Sequence, residues 1–576
     1  MRLGWTKTKY STTYRALKTI RVGGKNKTII VKTFGSERHI CETYGVTDAK
    51  AWALEQIKLM NEAEEDCSSV QIQFSPVKDL EEYRQRSFNG GYLFLQEIYY
   101  ALGLEKICKA IMKKNSFTYN LNSILSRLIY TRILYPSSKR SAFADSKRFI
   151  EQPDFELHQI YRALSALAAE SDYIQSRLFK NSLALSKRNT GIIYYDCTNF
   201  YFEIEQAEDD KQYGASKENR PLPIVEMGLF MDADGIPLAF CINPGNQNEQ
   251  LSMIPLEKKL IANFDMSKFV VCTDAGLSST GNRKFNDYTD EGSSRAFITT
   301  QSVKKLKGFL KDWALSTTGW RIPGKTETFD ITKFDAENAE EVVFYKSRWI
   351  KENGLEQQLI VTYSIKYKEY QREIRARQIE RAVKKIKRGK SSIQRKRQND
   401  PRRFINETYK TSSGEVADRT LFTLDTASIT EEEQYDGFYA VCTNLEDDAE
   451  SIVKINRRRW EIEECFRIMK SDFAARPVFV KRQERILAHF ITCFIALIVY
   501  RYLEKRLGSK YSCKQIVKNL REMNYLKFDG IGYVPTYKRT ELTDDLGRIF
   551  GIDTTKEIVT IKRMRNICSI SKTKIA

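Results

Sequence analysis

The chain has 576 residues, of which 41% are hydrophobic and 12% aromatic, and its formal net charge is +20. This length indicates roughly two to four domains, and the apolar content excludes a largely disordered chain. Because each neutralised phosphate releases counterions, a strong excess of basic residues favours a polyanionic partner such as nucleic acid.

The cysteine and histidine pattern argues against a zinc protein. Only three histidines are present, and the eleven cysteines form no CxxC pair, whereas a structural zinc site needs about four clustered ligands. Cysteines inside apolar runs, such as Cys272 and Cys493, indicate buried free thiols in a reducing cytosol. The N-terminus lacks an apolar signal core, and the apolar run 486–500 is shorter than the ~20 residues that a bilayer needs. We therefore expect a soluble intracellular protein with no membrane partner.

The first third of the chain predicts two modules. Residues 1–75 contain two β-type runs joined by GGKN, which predict a hairpin, followed by helical periodicity from about 48 to 64. The polar stretch 64–79 is typical of a linker. Residues 76–187 show helical apolar spacing and many basic residues, which predicts a helical DNA-binding region without a recognisable helix-turn-helix signature.

From residue 188 the pattern becomes mixed α/β. The segment 188–303 predicts a strand ending at Asp196, two further strands, an amphipathic helix, a fourth strand ending at Asp274, and a fifth strand. This order is typical of a ribonuclease-H-like catalytic domain. Residues 304–435 interrupt it and predict a mainly β insertion domain. The segment 436–507 predicts a strand, one long helix from about 447 to 472 and a buried helix, and 508–576 a small mixed C-terminal region.

Three acids stand out in this α/β region: Asp196, Asp274 and Glu463. Two-metal phosphoryl chemistry needs several carboxylates around a pair of cations roughly 3.5–4 Å apart, and Mg²⁺ prefers hard oxygen ligands. Aspartates at the ends of central strands are rigidly held beside a crevice. Each aspartate alone is more often a turn residue, so the prediction depends on the three acids together.

The segment RRRWEIEECFRIMK predicts a helix with a distinctive face. At about 100° per residue, Asn456, Glu463 and Lys470 fall within roughly 60° of Arg459. One face would thus hold a carboxylate between two cations, with Glu463 serving metal while Arg459 and Lys470 hold DNA phosphate. The alternative is a solvated charged face with i,i+4 pairing. The neighbouring Glu464 points about 100° away.

On these residues the chain resembles DDE transposases of bacterial insertion sequences, in the IS-four-like branch. That branch has a helix with the order Tyr, two residues, Arg, three residues, Glu, six residues, Lys. Arg459, Glu463 and Lys470 match this spacing, and Asn456 replaces the Tyr. Asn456 is predicted to contact DNA, because its amide can hydrogen-bond a phosphate or sugar, although it cannot stack on a base. Further similar stretches are YYDCTNFYFE, SKENRPLPIVEMGLF, GIPLAFCINPGNQNE, TDAGLSS and DGFYAVCTN.

The resemblance implies a ribonuclease-H-like catalytic domain with a largely β insertion, in which Asp196, Asp274 and Glu463 bind two Mg²⁺ or Mn²⁺ ions. It implies binding of terminal inverted repeats in double-stranded DNA, hydrolytic nicking, transfer of the freed 3′-OH to target DNA, and a homodimeric synaptic complex. The expected location is the bacterial cytoplasm, at the nucleoid. Two alternatives stay open: a ribonuclease-H-like nuclease without strand transfer, and a domesticated, non-catalytic DNA-binding protein.

Other basic and aromatic positions are secondary candidates. Lys217 and Arg220, in SKENRP, are predicted to contact DNA near the first acid. Between positions 366 and 403 the chain has 16 Lys/Arg against 4 Asp/Glu, which favours contact with phosphates. The tryptophans of the insertion are predicted to be core residues, although base stacking is an alternative. They are Trp313, Trp320 and Trp349. Trp460 is likewise predicted to pack.

Overall fold

The computed structural model describes most of the chain as two compact units, Met1–Arg84 and Gln85–Ala576. The described residues are 1–22, 25–66, 70, 72, 76–77, 79–115, 117–335, 337, 341–387, 400–410 and 419–573. Half of the predicted linker 64–79 and positions 388–399 of the basic stretch 366–403 lie outside them, as do the two glycines of the GGKN turn.

The first unit is a three-stranded antiparallel sheet with two helices. The predicted hairpin is confirmed, and so is the helix after it. The sequence reading missed the first strand and the first helix. The elements are β1 (Arg2–Lys7), β2 (Thr12–Val22), β3 (Lys25–Ser36), α1 (Glu37–Tyr44) and α2 (Ala49–Asp66). A small core that includes Tyr14, Phe34 and Ala53 holds them together.

The second unit begins with a short strand and six helices, as the apolar spacing predicts. They are β4 (Ser87–Asn89), α3 (Tyr92–Ala101), α4 (Leu104–Asn115), α5 (Leu121–Leu134), α6 (Lys139–Ser146), α7 (Leu157–Ala169) and α8 (Ser171–Ser182). These helices belong to the same compact unit as the α/β region. A role for them in DNA binding stays a prediction.

The middle of the chain forms a mixed sheet. Its elements are β5 (Ile192–Tyr201), β6 (Ile224–Asp232), β7 (Pro237–Pro244), α9 (Met253–Phe264), β8 (Lys268–Thr273), α10 (Thr280–Phe285), β9 (Tyr288–Asp290) and β10 (Ser293–Gln301). The predicted order of three strands, a helix and two further strands is confirmed. Across the sheet the order is β7-β6-β5-β8-β10. The first two pairings are antiparallel, and β5-β8 and β8-β10 are parallel.

The segment 304–435 differs from the predicted separate β domain. It contains α11 (Gly308–Leu315), β11 (Val343–Glu352), β12 (Leu355–Ser364), α12 (Ile365–Lys387), β13 (Ile405–Lys410), β14 (Arg419–Leu424) and α13 (Thr426–Glu433). Two of its strands extend the central sheet, because β12 pairs with β15 (Phe438–Thr443), which pairs with β10. Its longest element among the described residues is a helix, α12. The expectation of a mainly β insertion is therefore wrong for the described part.

The predicted long helix 447–472 is broken. The structure has α14 (Ala449–Arg457), a turn, α15 (Trp460–Arg467) and a π-helical turn, Ile468–Asp472. The remaining elements are α16 (Gln483–Arg506), α17 (Cys513–Glu522), β16 (Asn524–Phe528), β17 (Gly532–Pro535), α18 (Glu541–Phe550), β18 (Val559–Thr560) and α19 (Ile561–Thr573). Strands β18, β17, β16 and β4 form a small second sheet.

Helix α16 is the centre of the second unit's core. By length and composition it is apolar enough to cross a membrane, but 89% of its most apolar window is buried inside the protein. It packs against α3, α5 and α7, and the buried free thiol of Cys493 lies on it, as predicted. A helix that is apolar all round and covered by other helices is typical of a protein core.

The turn after β6 shows why an Asp after an apolar run is often structural. The Asp232 carboxylate accepts hydrogen bonds from the Asp234 and Ile236 backbone N–H groups and pairs with Arg188 at 2.6 Å. Both side chains of the pair are fully buried. Asp232 thus closes the β6–β7 turn and neutralises a buried guanidinium.

We expect the Asp232→Ala variant to lose about 3–5 kcal/mol of unfolding free energy, because it leaves the Arg188 charge buried without a partner. Urea unfolding of the full chain measures this. Glu446→Ala, at an exposed position, is the control and should change stability by less than about 0.5 kcal/mol. Equal stability of the two variants would contradict a structural role for the pair.

Candidate active site

Two of the predicted acids lie where the central parallel ladder ends. Strands β5 and β8 are paired only as far as Tyr194 opposite Cys272. Continuing the same register by two residues brings Asp196 opposite Asp274. Asp196 lies in the middle of β5 and not at its end, which corrects the sequence prediction, since β5 continues to Tyr201 along β6. The carboxylates therefore stand at the point where two neighbouring strands separate.

Both acids belong to the sheet face that α14 and α15 cover. The Tyr194 hydroxyl donates to the Ile455 carbonyl at 3.0 Å, and the Cys272 thiol lies 3.4 Å from the Asn456 side chain. Side chains two residues apart on a strand share a face, so Asp196 faces the same side as Tyr194. Helix α15 packs directly on β5.

The electrostatics of Asp196 show that its neighbours are charged. Burial raises the pKa of Asp196 to about 6, and the Asp274 carboxylate also raises it, while Lys217, the Cys197 N–H and Arg459 act in the opposite direction. Like charges in one partly buried site disfavour joint ionisation. Two such carboxylates fit a divalent cation, because the cation would remove their repulsion.

Glu463 does not join this pair in the described arrangement. Its side chain is 62% exposed and lies 3.6 Å from the Arg459 guanidinium. Among the described residues, no group of three His, Cys, Asp or Glu side chains is close enough to hold one metal ion. The structure thus brings Asp196 and Asp274 together and leaves Glu463 on the solvent side of Arg459.

Arg459 connects all three acids. It pairs with Glu463, and the carboxylates of Asp274 and Asp196 help to raise its pKa against the opposing effect of burial. Its Nη1 donates to the Thr300 hydroxyl at 3.1 Å. With only 15% of its side chain exposed, Arg459 is a fixed positive charge beside the aspartates.

Asn456 lies inside the protein and not on the helix face predicted for it. It is 2% exposed, and its amide donates to the Tyr439 hydroxyl at 2.5 Å. Tyr439 shares a hydrogen bond with Thr300, the residue that holds Arg459. The turn between α14 and α15 breaks the 100° progression that the sequence reading assumed. The hydrogen bonds of Asn456 therefore support Arg459, and its proposed contact with DNA stays a prediction.

Lys470 and Lys217 surround Asp196 from the other side. Lys470 lies in the π-helical turn, a feature frequent at functional sites, and donates to the Thr198 hydroxyl at 2.5 Å. Burial and the Lys217 charge lower the pKa of Lys470 to about 8. Lys217 donates to the Cys197 carbonyl and lies 3.4 Å from Glu249. Burial lowers the pKa of Lys217, but Asp196 and Glu249 outweigh it, so the net shift is upward.

Arg220 lies farther out, with its guanidinium 4.4 Å from the centre of the Tyr201 ring and about half of its side chain exposed. The residues that sequence reasoning missed are Thr198, Thr300 and Tyr439. Thr198 follows Asp196 by two positions, so strand alternation could have placed it on the same face. The other two come from strands β10 and β15, whose proximity to α15 the sequence does not indicate.

A groove of about 720 Å³ runs from Glu463 along α12 and β15. Its lining includes Tyr367, Tyr370, Tyr439, Trp460, Lys366, Arg457 and Arg459. Trp460 is 61% exposed, so the prediction that it packs is wrong. Of the other tryptophans, Trp320 is fully buried as predicted, Trp313 is partly buried, and Trp349 is 44% exposed. Aromatic rings interleaved with cations suit a nucleic-acid strand.

We expect Asp196→Asn to raise the metal-free stability by about 2–3 kcal/mol near pH 7.5. The pKa of Asp196 is higher in the folded than in the unfolded state, so its ionisation opposes folding. That penalty is absent below about pH 4 and complete above about pH 6. Thermal unfolding of both proteins at about pH 5 and pH 7.5 should show a smaller difference at the lower pH.

Added Mg²⁺ supplies a second readout. Mg²⁺ should stabilise the wild-type protein more than Asp196→Asn, because only a folded carboxylate pair binds the ion. Asp312→Asn, at an exposed position, is the control and should behave as the wild type does. An Asp196→Asn variant that is no more stable than the wild type, and that Mg²⁺ stabilises as much as it stabilises the wild type, would contradict a cation site at the aspartates.

Comparison with known proteins gives one informative match. Residues 354–499 match the family model described as Transposase DDE domain. This segment contains Arg459, Glu463 and Lys470 but neither aspartate. A search of curated proteins finds no significant match.

Two solved structures show distant likeness. One is the cryo-EM structure of the piggyBac transposase synaptic complex with hairpin DNA. It has 10% identity and a TM-score of 0.33, over 89% of this chain and 81% of that one. The other is the Mos1 transposase paired-end complex with left transposon end, with 12% identity and a TM-score of 0.13, over 43% of this chain and 68% of that one. Both scores are too low to carry an argument about fold. The family match supports a DDE transposase, on the strength of the segment that contains Glu463.

Proposed function

We propose that this protein is a DDE transposase that cuts double-stranded DNA by metal-dependent hydrolysis and joins the freed 3′-OH ends to target DNA. The observation that carries the proposal is the placement of Asp196 and Asp274 at matching positions of two separating parallel strands, under the helix that bears Glu463. The transposase match over 354–499 is an independent support, because it covers that helix and neither aspartate.

We propose a ribonuclease-H-like architecture for the catalytic region. The strand order β7-β6-β5-β8-β10, with two antiparallel pairings followed by two parallel ones, supports it. In open α/β sheets, ligands bind at the edge formed by the carboxyl ends of the strands, which is where β8 leads into Asp274.

Asp196, Asp274 and Glu463 are the residues that would hold Mg²⁺ or Mn²⁺, two ions per site. When bound, such ions supply activation of the attacking hydroxyl and stabilisation of the leaving oxygen. Glu463 would reach the pair only after leaving Arg459. Since that ion pair is exposed on the Glu463 side and 3.6 Å long, it contributes little free energy and opposes the movement weakly.

The cations of the site have a separate task in this proposal. Arg459, Lys470 and Lys217 lie around Asp196. Only 15% of the Arg459 side chain and 12% of the Lys470 side chain are exposed, which leaves their charges weakly screened, whereas Lys217 is 41% exposed. They would hold the non-bridging oxygens of the scissile phosphate and offset its charge beside two carboxylates. Arg220, more exposed, would contact the DNA backbone farther from the cut.

Double-stranded DNA as the partner is supported by the distribution of charge. Positions 1–36, which include the three strands of the first unit, hold nine Lys/Arg and no Asp or Glu. Helix α12 adds a second basic surface beside the aromatic groove. We propose that the DNA is a transposon end with terminal inverted repeats, held by a homodimer in the synaptic complex, in the bacterial cytoplasm at the nucleoid.

A non-catalytic DNA-binding protein is the second candidate. The observation that favours it is the exposed Glu463, which pairs with Arg459 and does not lie with the two aspartates. Two adjacent glutamates allow a test between the catalytic and the non-catalytic function. Glu463 is the proposed metal-binding residue, whereas Glu464 pairs with Arg467 on another side of the same helix.

We expect Glu463→Gln to reduce Mg²⁺-dependent cleavage of transposon-end DNA at least about 100-fold, because it removes one metal-binding carboxylate and leaves the fold intact. Glu464→Gln, the matched control, should cleave within about threefold of the wild type. Gel analysis of end-labelled duplex measures cleavage, and a mobility shift measures binding. Equal cleavage by both variants would contradict the metal-binding role of Glu463. No cleavage by the wild type, with intact DNA binding, would favour the non-catalytic alternative.

Strand transfer distinguishes a transposase from a nuclease of the same architecture. A pre-cut transposon end with a free 3′-OH, incubated with supercoiled plasmid and Mg²⁺, should yield plasmid joined to the labelled end. A 2′,3′-dideoxy end is the control and should give none, because it lacks the nucleophile. Cleavage of uncut ends without any joined product would favour a nuclease that does not transfer strands.

A further inference from the structure

A second charged site lies in the same unit. It is a cavity of about 480 Å³ formed by the end of α5, the start of α6, helix α7, the segment after the π-helical turn and the start of α16. We refer to it as the basic cavity. Its lining residues include five cations and, among the described residues that line it, no Asp or Glu. The cations are Arg132, Lys139, Lys481, Arg482 and Arg485.

The inner cations are buried without counter-charge. Lys139 and Arg132 are each 4% exposed. In the described part of the chain, the Lys139 side chain has no hydrogen bond or ion pair. Arg132 donates only to the backbone carbonyls of residues 473, 474 and 137, and its Nε has no partner. Carbonyl groups satisfy hydrogen bonds but do not neutralise a charge, so this end of the cavity lacks compensating negative charge.

The titration behaviour of the buried groups agrees with this geometry. Burial and the Arg132 charge lower the pKa of Lys139 to about 7. Burial, Arg132 and Lys139 hold the pKa of His489 well below its usual value, so His489 is neutral. Nothing described in the cavity supplies the negative charge that would keep Lys139 protonated.

The cavity also has an outer part suited to an extended ligand. Lys481 and Arg482 are exposed at its mouth, together with Phe479, which is 62% exposed. Arg485 lies with its guanidinium 5.1 Å from the Tyr161 ring, and its Nε has no hydrogen-bond partner. Arg482 is the N-cap of the 24-residue helix α16 and makes no side-chain cap, so the positive end of the helix dipole adds to the field there.

We propose that the basic cavity binds a phosphate group, with Lys139 and Arg132 at its floor and Arg482 and Arg485 at its mouth. The phosphate comes from a DNA backbone or from a free phosphate compound. The site is separate from the acids and does not rest on the proposed catalysis, so it stands even if the protein cuts no DNA.

The test compares two neighbouring cations of α6. Lys139→Met removes the buried charge and keeps an apolar chain of similar length. Arg140→Met removes the same formal charge at an exposed position outside the cavity lining. Pyrophosphate binding by isothermal titration calorimetry and 20-base-pair duplex binding by fluorescence anisotropy are measured at fixed ionic strength, with Asp196→Asn included. If the cavity binds DNA phosphate, Lys139→Met weakens duplex binding at least about fivefold more than Arg140→Met, and pyrophosphate competes.

If the cavity binds a free phosphate compound, Lys139→Met loses pyrophosphate binding while its duplex affinity equals that of Arg140→Met. In both cases we expect Asp196→Asn to bind the cavity's ligand as the wild type does, and this result would distinguish the basic cavity from the catalytic site. Should Lys139→Met not fold, as judged by its melting curve, Arg482→Gln at the exposed mouth takes its place. Identical affinities of the cavity variant and Arg140→Met for both ligands would overturn the proposal.

Discussion

The parallel ladder between β5 and β8 ends at Tyr194 and Cys272, and the geometry of the candidate active site follows from that ending. Beyond it the two strands are no longer paired: β5 continues along β6, and β8 ends at Thr273. Backbone pairing fixes the relative position of the strands up to the split, so the two side chains that follow on the helix-covered face are brought together. Both are aspartates, and the energetic consequence is a partly buried pair of like charges.

Three cations around the two aspartates offset their negative charge. Arg459, Lys470 and Lys217 approach from α15, the π-helical turn and the loop after β5, and each is oriented by a neighbouring hydroxyl, carbonyl or carboxylate. The network from Asn456 through Tyr439 and Thr300 to Arg459 connects the buried side of α14 to the site. In this arrangement Arg459 supplies, among the acids, positive charge of the kind that a metal ion would supply. The metal-free protein can therefore keep the carboxylates close without an ion, and exposed Glu463 stays available.

The basic cavity and the active site have opposite electrostatic characters on one structural unit. At the acids, negative charge is concentrated and cations compensate for it. In the cavity, positive charge is concentrated and no described acid compensates. The active site and the basic cavity are close in sequence at the π-helical turn. Lys470 in this turn donates to Thr198 at the active site, and the carbonyls of residues 473 and 474 accept hydrogen bonds from Arg132 of the cavity. A phosphate-bearing ligand is the chemistry that we propose for both regions.

Local periodicity in the sequence determined much of this protein. The apolar runs IIYYD and KFVVC predicted two central strands, and apolar residues at helical spacing predicted α9. A run that is apolar almost all round predicted the buried helix α16. The i,i+4 spacing of Arg459 and Glu463 left their pairing open as the alternative to metal binding, and the two side chains do pair. These features depend on near neighbours, which the sequence states directly. Only the tertiary structure decided that Asp196 lies within its strand, that Asn456 is buried, that Glu463 faces solvent, and that five distant cations share a cavity. Those outcomes depend on strand register, on the turn that divides α14 from α15, and on helix packing, and each of these is set by contacts between residues far apart in the chain.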